Sequence, residues 1–215
     1  MTTRVRLATG ICLVPEHNPL ILAKVVASLD RLAKGRFALG VGIGWSAEEF
    51  RALGIPFARR AQRTREYIDV MRKLWRPGVA RHHGELIRFD EAGSFPKPDQ
   101  GEKVPVIFGG ESEPALRRVA ECGDGWYGFN LDPLMARQKI ARLAELLSEN
   151  GRALSDVEVI VAPYNRRIAV DDLARYRDLG VSEVVLLANL PSDTARATAR
   201  VEQFARDWVE PACRL

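Results

Sequence analysis

A pair of glycines and the residues after it have the types and spacing of an anion site. Gly109 and Gly110 follow an apolar run that ends at Phe108. Ser112 and Glu113 then open a helical pattern. Bare backbone amides at a helix N-terminus bind anions, most often phosphate. Capping of the helix would also explain Ser112, but capping does not require two glycines, so the segment is interpreted as a phosphate site with a plain cap as the alternative.

Three further glycines at a spacing of two precede a tryptophan. Gly40, Gly42 and Gly44 end another apolar run, and Trp45 follows them. A strand end without side chains on one face can accommodate a planar ring, and the tryptophan could contact one side of that ring. A tight turn explains the same pattern equally well. Gly10 interrupts an alternating segment, which is typical of a bulge, of close approach by a ligand, or of a crowded sheet.

Other reactive residue types lack the spacing that their chemistry needs. His82 and His83 are adjacent, so they cannot share a helix face as metal ligands do, and His17 is isolated. No metal site is expected. Motifs of serine hydrolases and of P-loop nucleotide hydrolases are absent from the sequence. No residue is singled out as catalytic.

Strand, loop and helix patterns alternate along the whole chain. Strands are predicted at 4–13, 37–42, 104–108, 125–129, 157–163 and 183–187, and helices at 18–35, 59–75, 113–122, 133–150, 173–179 and 192–209. This order predicts an α/β fold with a parallel sheet, whose site lies at the C-terminal ends of the strands. Periodicity alone leaves a doubly wound sheet and a barrel open.

Two local expectations concern packing. Four apolar residues at helical spacing are expected to form the buried stripe of the first helix: Ile21, Val25, Leu29 and Leu32. Residues 80–103 are rich in glycine, proline and charge, and they predict an insertion with one hairpin. Asp124 and Trp126 are interpreted as structural.

Composition excludes several classes of protein. The net charge is +4, with no more than two consecutive basic residues, which argues against nucleic-acid binding. No apolar stretch is long enough for a membrane span, and no signal peptide is evident. Three widely spaced cysteines favour a reducing compartment, so a cytoplasmic protein is expected.

A series of motifs in a fixed order resembles the luciferase-like monooxygenase superfamily, most closely its branch that uses the deazaflavin coenzyme F420. The motifs are Ala8-Thr9-Gly10-Ile11, His17-Asn18-Pro19, Ser28-Leu29-Asp30-Arg31-Leu32, Gly35-Arg36-Phe37, Leu39-Gly40-Val41-Gly42-Ile43-Gly44-Trp45, Glu48-Glu49-Phe50, Leu53-Gly54, Pro56-Phe57, Arg60, Phe95-Pro96-Lys97-Pro98, Gly109-Gly110 and Gly123-Asp124-Gly125-Trp126. They extend over nearly the whole chain.

The resemblance implies a TIM (β/α)8-type barrel as a single domain over residues 1–215, lacking its first two β-α units, with the cofactor at the C-terminal mouth. A cis peptide is implied at Gly10–Ile11, behind the cofactor ring. Trp45 stands where alcohol dehydrogenases of this branch carry a glutamate, so their proton donor is not carried over. The implied cofactor-binding residues are Thr9, Gly10, Ile11, Gly42, Gly44, Trp45, Glu48, Gly109, Gly110, Ser112 and Glu113.

The function implied is hydride transfer between F420 and a small organic substrate. Two alternatives stay open, an FMN-dependent monooxygenase and a degenerate barrel that binds a flavin without turnover. A small molecule is the expected partner, and a homodimer is compatible with the resemblance. Membrane and nucleic-acid partners are not expected.

Overall fold

The computed structural model describes residues 2–215. The chain forms two compact units, the first ending at Phe108 and the second spanning Gly109–Leu215. None of the helices in the described part is long and apolar enough to cross a membrane. Cys12, Cys122 and Cys213 are all free thiols.

The first unit is built on a parallel sheet whose central strand is buried. Its strands are β1 (Leu7–Ala8), β2 (Cys12–Leu13), β3 (Phe37–Gly42), β4 (Ala80–His83), β5 (Arg88–Ala92) and β6 (Val106–Gly109), whose last residue belongs to the second unit. Its helices are α1 (Pro19–Ala33), α2 (Ala47–Ala52) and α3 (Arg60–Trp75), with short 3₁₀ turns at Val14–Glu16 and Gly101–Lys103. β1, β2 and β6 all pair in parallel with β3, which is buried throughout.

The sequence predicts one continuous strand over residues 4–13, and this prediction is wrong. Two short strands, β1 and β2, replace it. The Gly10–Ile11 peptide between them is cis, as the resemblance implies. β1 and β2 pair with successive parts of β3, so the ladder is interrupted at Gly10 and resumes at Cys12.

The face of α1 expected to be buried is the exposed one. Ile21, Val25, Leu29 and Leu32 are 66%, 47%, 40% and 81% exposed. The inward face carries mostly small or β-branched residues, namely Leu22, Ala23, Val26, Ala27 and Ala33. It also carries Asp30, whose buried carboxylate accepts hydrogen bonds from the backbone and side-chain amides of Gln100. Small side chains allow close packing, and this polar pair fixes which face turns inward.

The insertion forms the expected hairpin. β4 and β5 pair antiparallel, and the residues that connect them are tied to α3. The Glu66 carboxylate accepts hydrogen bonds from the backbone amides of Leu86 and Ile87 and lies 3.3 Å from Nε2 of buried His82. A carboxylate on the helix therefore satisfies the amides at the tip of the hairpin.

The second unit repeats the strand–helix order. Its parallel strands are β7 (Gly125–Phe129), β8 (Glu158–Ala162) and β9 (Glu183–Val184). Its helices are α4 (Glu113–Cys122), α5 (Pro133–Glu149), α6 (Asp172–Asp178), α7 (Thr194–Phe204), a π-helical turn at Ala205–Val209 and α8 (Glu210–Ala212), with a 3₁₀ turn at Leu154–Asp156. The order agrees with the sequence prediction, although the strand expected at 183–187 ends at Val184.

Candidate functional site

The glycine row at the end of β3 is covered by the protein itself. A Cβ on Gly40 would overlap the Thr9 carbonyl oxygen, and one on Gly42 would overlap the Ile11 side chain. Gly42 is buried. The interpretation that these glycines leave a bare face for a ring is therefore wrong, because neighbouring backbone and side chains need the space.

The third glycine of the row has two neighbours. A Cβ on Gly44 would lie 2.6 Å from the ring of Phe50 and 3.0 Å from Oε1 of Glu16, and the φ of Gly44 is +75°. Glycine is required there both by conformation and by the side chains that fill the space.

Accessible surface is found instead at Gly10 and Ile11, between β1 and β2. A Cβ on Gly10 would meet no atom within 4 Å, and Ile11 is 41% exposed. Thr9 is partly buried and donates a hydrogen bond from its hydroxyl to the Gly40 carbonyl, at 2.9 Å. The residues Thr9–Ile11, called the platform below, thus combine an anchored start with an accessible end.

The loop after β3 presents an unusually exposed tryptophan. Trp45 is 85% exposed. The hydroxyl of Ser46, the next residue, caps α2 by accepting the Glu49 amide, and it donates to the Glu48 carboxylate at 3.2 Å. The capping interaction accounts for the position of Glu48, so a cofactor contact by Glu48 stays a prediction.

Glu16 is a partly buried carboxyl that sequence reasoning missed. It ends the 3₁₀ turn that follows β2, and its Oε1 is buried without a hydrogen-bond partner in the described structure. Burial raises the pKa of Glu16; the charge of Glu49 adds to this and that of His17 opposes it. Burial, and then the charge of Glu16, raises the pKa of the Cys12 thiol.

In the second unit, the loop after β6 is held by its carbonyl groups. The buried indole of Trp126 donates to the Gly110 carbonyl at 2.9 Å, and Lys139 Nζ of α5 donates to the Glu111 carbonyl at 2.9 Å. The Glu111 carboxylate accepts the Phe129 amide at 2.7 Å. The loop is therefore fixed from β7 and α5.

These anchors determine where the loop amides point. In a trans peptide the carbonyl and the next N–H point in opposite directions. Because the carbonyls of Gly110 and Glu111 face Trp126 and Lys139, the N–H groups of Glu111 and Ser112 face the other way. The Gly110 amide itself donates to the Tyr127 carbonyl at 3.4 Å, so Glu111 replaces Gly110 among the amides available to an anion.

The start of α4 adds further donors. Ser112 occupies the N-cap position, but its hydroxyl makes no capping hydrogen bond, so the plain-cap alternative lacks support. The Glu113 carboxylate binds Arg142 and Arg117 at 2.6 and 2.8 Å. A hydrogen bond from Arg142 is the main cause that holds the pKa of Glu113 below its usual range; burial opposes it, and the charges of Arg142 and Arg117 add to the lowering. Its negative charge is thus neutralised beside the amides.

Two aromatic rings at the C-terminal ends of β7 and β8 also escaped sequence reasoning. Phe129 and Tyr164 are 44% and 50% exposed, with ring centroids 4.7 Å apart. Asn130, next to Phe129, has a φ of +59° and a buried Oδ1 without a partner among the described residues. Nothing in the local pattern around Phe129 or Tyr164 marks them as a pair.

Among residues 2–215 no group of three or more histidine, cysteine, aspartate or glutamate side chains is arranged to hold a metal ion. Each unit has its own candidate polar groups: the second has the amides and hydroxyl at 111–112, and the first has the Glu16 carboxyl.

Comparison with known proteins identifies relatives of the same kind. Residues 1–176 match the family model described as luciferase-like monooxygenase. An uncharacterized protein of Mycobacterium tuberculosis is 37% identical over 207 residues, which are 95% of this chain and 71% of the relative. Pyrimidine monooxygenase RutA of Allorhizobium ampelinum is 31% identical over 161 residues, 71% of this chain and 43% of the relative.

Solved structures share the fold. The coenzyme F420-dependent tetrahydromethanopterin reductase of Methanopyrus kandleri superposes with a TM-score of 0.78 at 17% identity, covering 98% of this chain and 84% of the reductase. An FMN complex of a Baeyer–Villiger monooxygenase from Pseudomonas putida has a TM-score of 0.62 at 20% identity, covering 74% of this chain and 47% of that one. The fold is thus of the TIM-barrel type expected, and the chain belongs to the luciferase-like monooxygenase family.

Proposed function

We propose that this protein is an oxidoreductase that transfers a hydride between coenzyme F420 and a small organic substrate. The observation that carries the proposal is the loop at residues 110–112. Its carbonyls are held by Trp126 and Lys139, so two amides turn outward beside the start of α4. Amide donors at a helix N-terminus suit a phosphate group, which F420 and FMN both carry.

The platform of the first unit is proposed to support the tricyclic ring. Gly10 and Ile11 offer accessible surface between β1 and β2. Trp45, on the loop after β3, is exposed enough to contact a ligand. When bound, the cofactor supplies the hydride chemistry, whereas the protein binds it, orients it and excludes water.

F420 is favoured over FMN by the overall resemblance of the motifs. An FMN-dependent monooxygenase is the second candidate, supported by the relative named as a pyrimidine monooxygenase and by the neighbour solved with FMN. Binding of a flavin without turnover is the third candidate. The same loop and platform would serve in all three.

A negative charge introduced at Ser112 tests the phosphate site. We expect Ser112→Asp to weaken FMN binding at least about tenfold, or about 1.4 kcal/mol, because the new carboxylate repels a phosphate. Riboflavin has the same ring without the phosphate, so its affinity should stay within about twofold. Fluorescence titration of the purified protein with F420, FMN and riboflavin measures both effects.

Ser112→Ala is the matched control, since it removes the hydroxyl without adding charge. Equal losses for FMN and riboflavin in Ser112→Asp would exclude a phosphate at this loop. Binding of FMN with no affinity for F420 would favour the second candidate, and tight binding without oxidation of any donor would favour the third.

A further inference from the structure

The glycine row of β3 also determines where Glu16 lies. Ile11 covers Gly42, and the Glu16 carboxyl covers Gly44, two residues further along the chain. Leu13 also lies against Gly42, so Glu16 follows Ile11 and Leu13 among the side chains that lie against the glycines at 42 and 44. A carboxyl group lies at the end of the surface proposed to hold the ring.

The surroundings of Glu16 provide no cation that pairs with it. None of the ion pairs found in the described structure includes Glu16, and its Oε1 is buried without a hydrogen bond. Glu49 approaches from α2, and Cys12 lies on β2. Arg60 of α3 binds the Gly44 carbonyl at 3.0 Å and stacks on the ring of Phe57, 3.9 Å from its centroid.

The one neighbouring group that favours the ionised form is the adjacent His17. Glu49 acts in the opposite direction, and burial, the largest effect, also raises the pKa of Glu16. A carboxylate without a partner is costly to bury, and it takes up a proton when its remaining water is removed. The carboxyl is only partly buried in the free protein.

We propose that Glu16 is the proton-carrying group of the platform, and that it takes up a proton when the tricyclic cofactor binds at Gly10–Ile11. The inference rests on the proposed function, because it requires a ring on the platform. A ring that extends from Ile11 past Gly42 toward Gly44 would reduce the access of water to the carboxyl, so the neutral form would be favoured in the complex. Glu16 thereby holds a proton at the edge of the bound ring.

Calorimetry of FMN and F420 binding in two phosphate-free buffers with different ionisation enthalpies measures the proton uptake. We expect the wild-type protein to take up as much as about one proton more than Glu16→Gln between about pH 6 and about pH 8. The difference between the two proteins removes any proton exchanged by the cofactor itself. Glu91→Gln, on the exposed strand β5, removes a carboxylate that is not among the groups acting on Glu16, so it is the matched control and should keep the uptake of the wild type.

Equal proton uptake by the wild type and Glu16→Gln would overturn the inference. If neither cofactor binds to any variant, the proposed function fails instead. Carboxyl ¹³C NMR of the free protein then tests Glu16 independently: a titration midpoint above that of an ordinary glutamate is expected, and one at or below it would also overturn the inference. A thermal melt of Glu16→Gln verifies that the variant is folded.

Discussion

Glu16 and Glu66 are two acidic residues of the first unit whose surroundings act on their pKa values in opposite directions. Burial acts to raise the pKa of Glu66, but hydrogen bonds from the amides of Ile87 and Leu86 and from His82 lower it overall. Burial also raises the pKa of Glu16, and no such donors oppose it at Oε1. The same type of side chain thus stabilises the folded state at one position and is costly in its ionised form at the other.

The two glutamates should therefore give opposite pH dependences of stability. Glu66 contributes stability above its unfolded pKa, which is lost as the pH falls through its lower folded pKa. The contribution of Glu16 is present below its unfolded pKa and is lost as the pH rises through its higher folded pKa. At neutral pH, Glu66→Gln should lower the free energy of unfolding by about 1–3 kcal/mol. Glu16→Gln should leave the free energy of unfolding unchanged or raise it.

Urea unfolding from about pH 4 to about pH 8 measures both effects. The free energy of unfolding of Glu16→Gln should exceed that of the wild type by less toward acidic pH, because both proteins then carry a neutral side chain at position 16. A glutamine at position 16 that destabilises the protein at every pH would show that the carboxylate has a partner.

Site residues with a local motif could be predicted, and those that depend on distant contacts could not. The cis peptide at Gly10–Ile11 was implied by the family resemblance, and the candidate donors around Ser112 by the glycine pair before a helix start. Lys139 contacts the Glu111 carbonyl from 28 residues away, so no local pattern reveals it. Glu16 was missed because its buried Oε1 lies beside Gly44, which follows a different strand.

At the scale of elements, α1 shows why periodicity alone does not orient a helix. It has two apolar faces, and the sequence pattern does not say which one turns inward. The buried Asp30 and its hydrogen bonds to Gln100 decide the orientation, and Gln100 lies in the insertion, far along the chain. The positions of most helices and strands were predictable, because glycine, proline and capping residues mark their ends.

Substitutions on the two faces of α1 should have very different effects on the free energy of unfolding. Leu22→Ala removes a buried side chain and should cost about 2–5 kcal/mol. Leu32→Lys changes a side chain that is 81% exposed and should change stability by no more than about 0.5 kcal/mol. Chemical denaturation of both variants gives these values, and a large loss in Leu32→Lys would mean that this face is covered in solution.

At the scale of the whole molecule, apolar side chains remain exposed at the start of the sheet. Val5 and Leu7 are 55% and 45% exposed. Val184 and Leu186, near the other end of the chain, are partly buried and line a cavity of about 440 Å³ that Trp208 also lines. A barrel could not be distinguished from a doubly wound sheet by strand order, since both produce the same alternation.

The exposed residues of β1 predict self-association. An edge strand with apolar side chains pairs or packs with other chains. We expect the apparent mass of the 215-residue protein to rise with concentration, and Leu7→Lys to reduce this rise. Analytical ultracentrifugation over a concentration series measures it, and a mass independent of both concentration and this substitution would contradict the prediction.

The exposed indole of Trp45 gives the protein an optical probe of its own. Trp75 and Trp126 are fully buried, whereas Trp45 is 85% exposed, so iodide in the solvent should quench Trp45 far more than those two. Flavin-type rings absorb light at the wavelengths that tryptophan emits. A ring beside Trp45 would therefore accept its excitation energy and also shield it from iodide, and occupancy of the platform could be followed by fluorescence without any attached label.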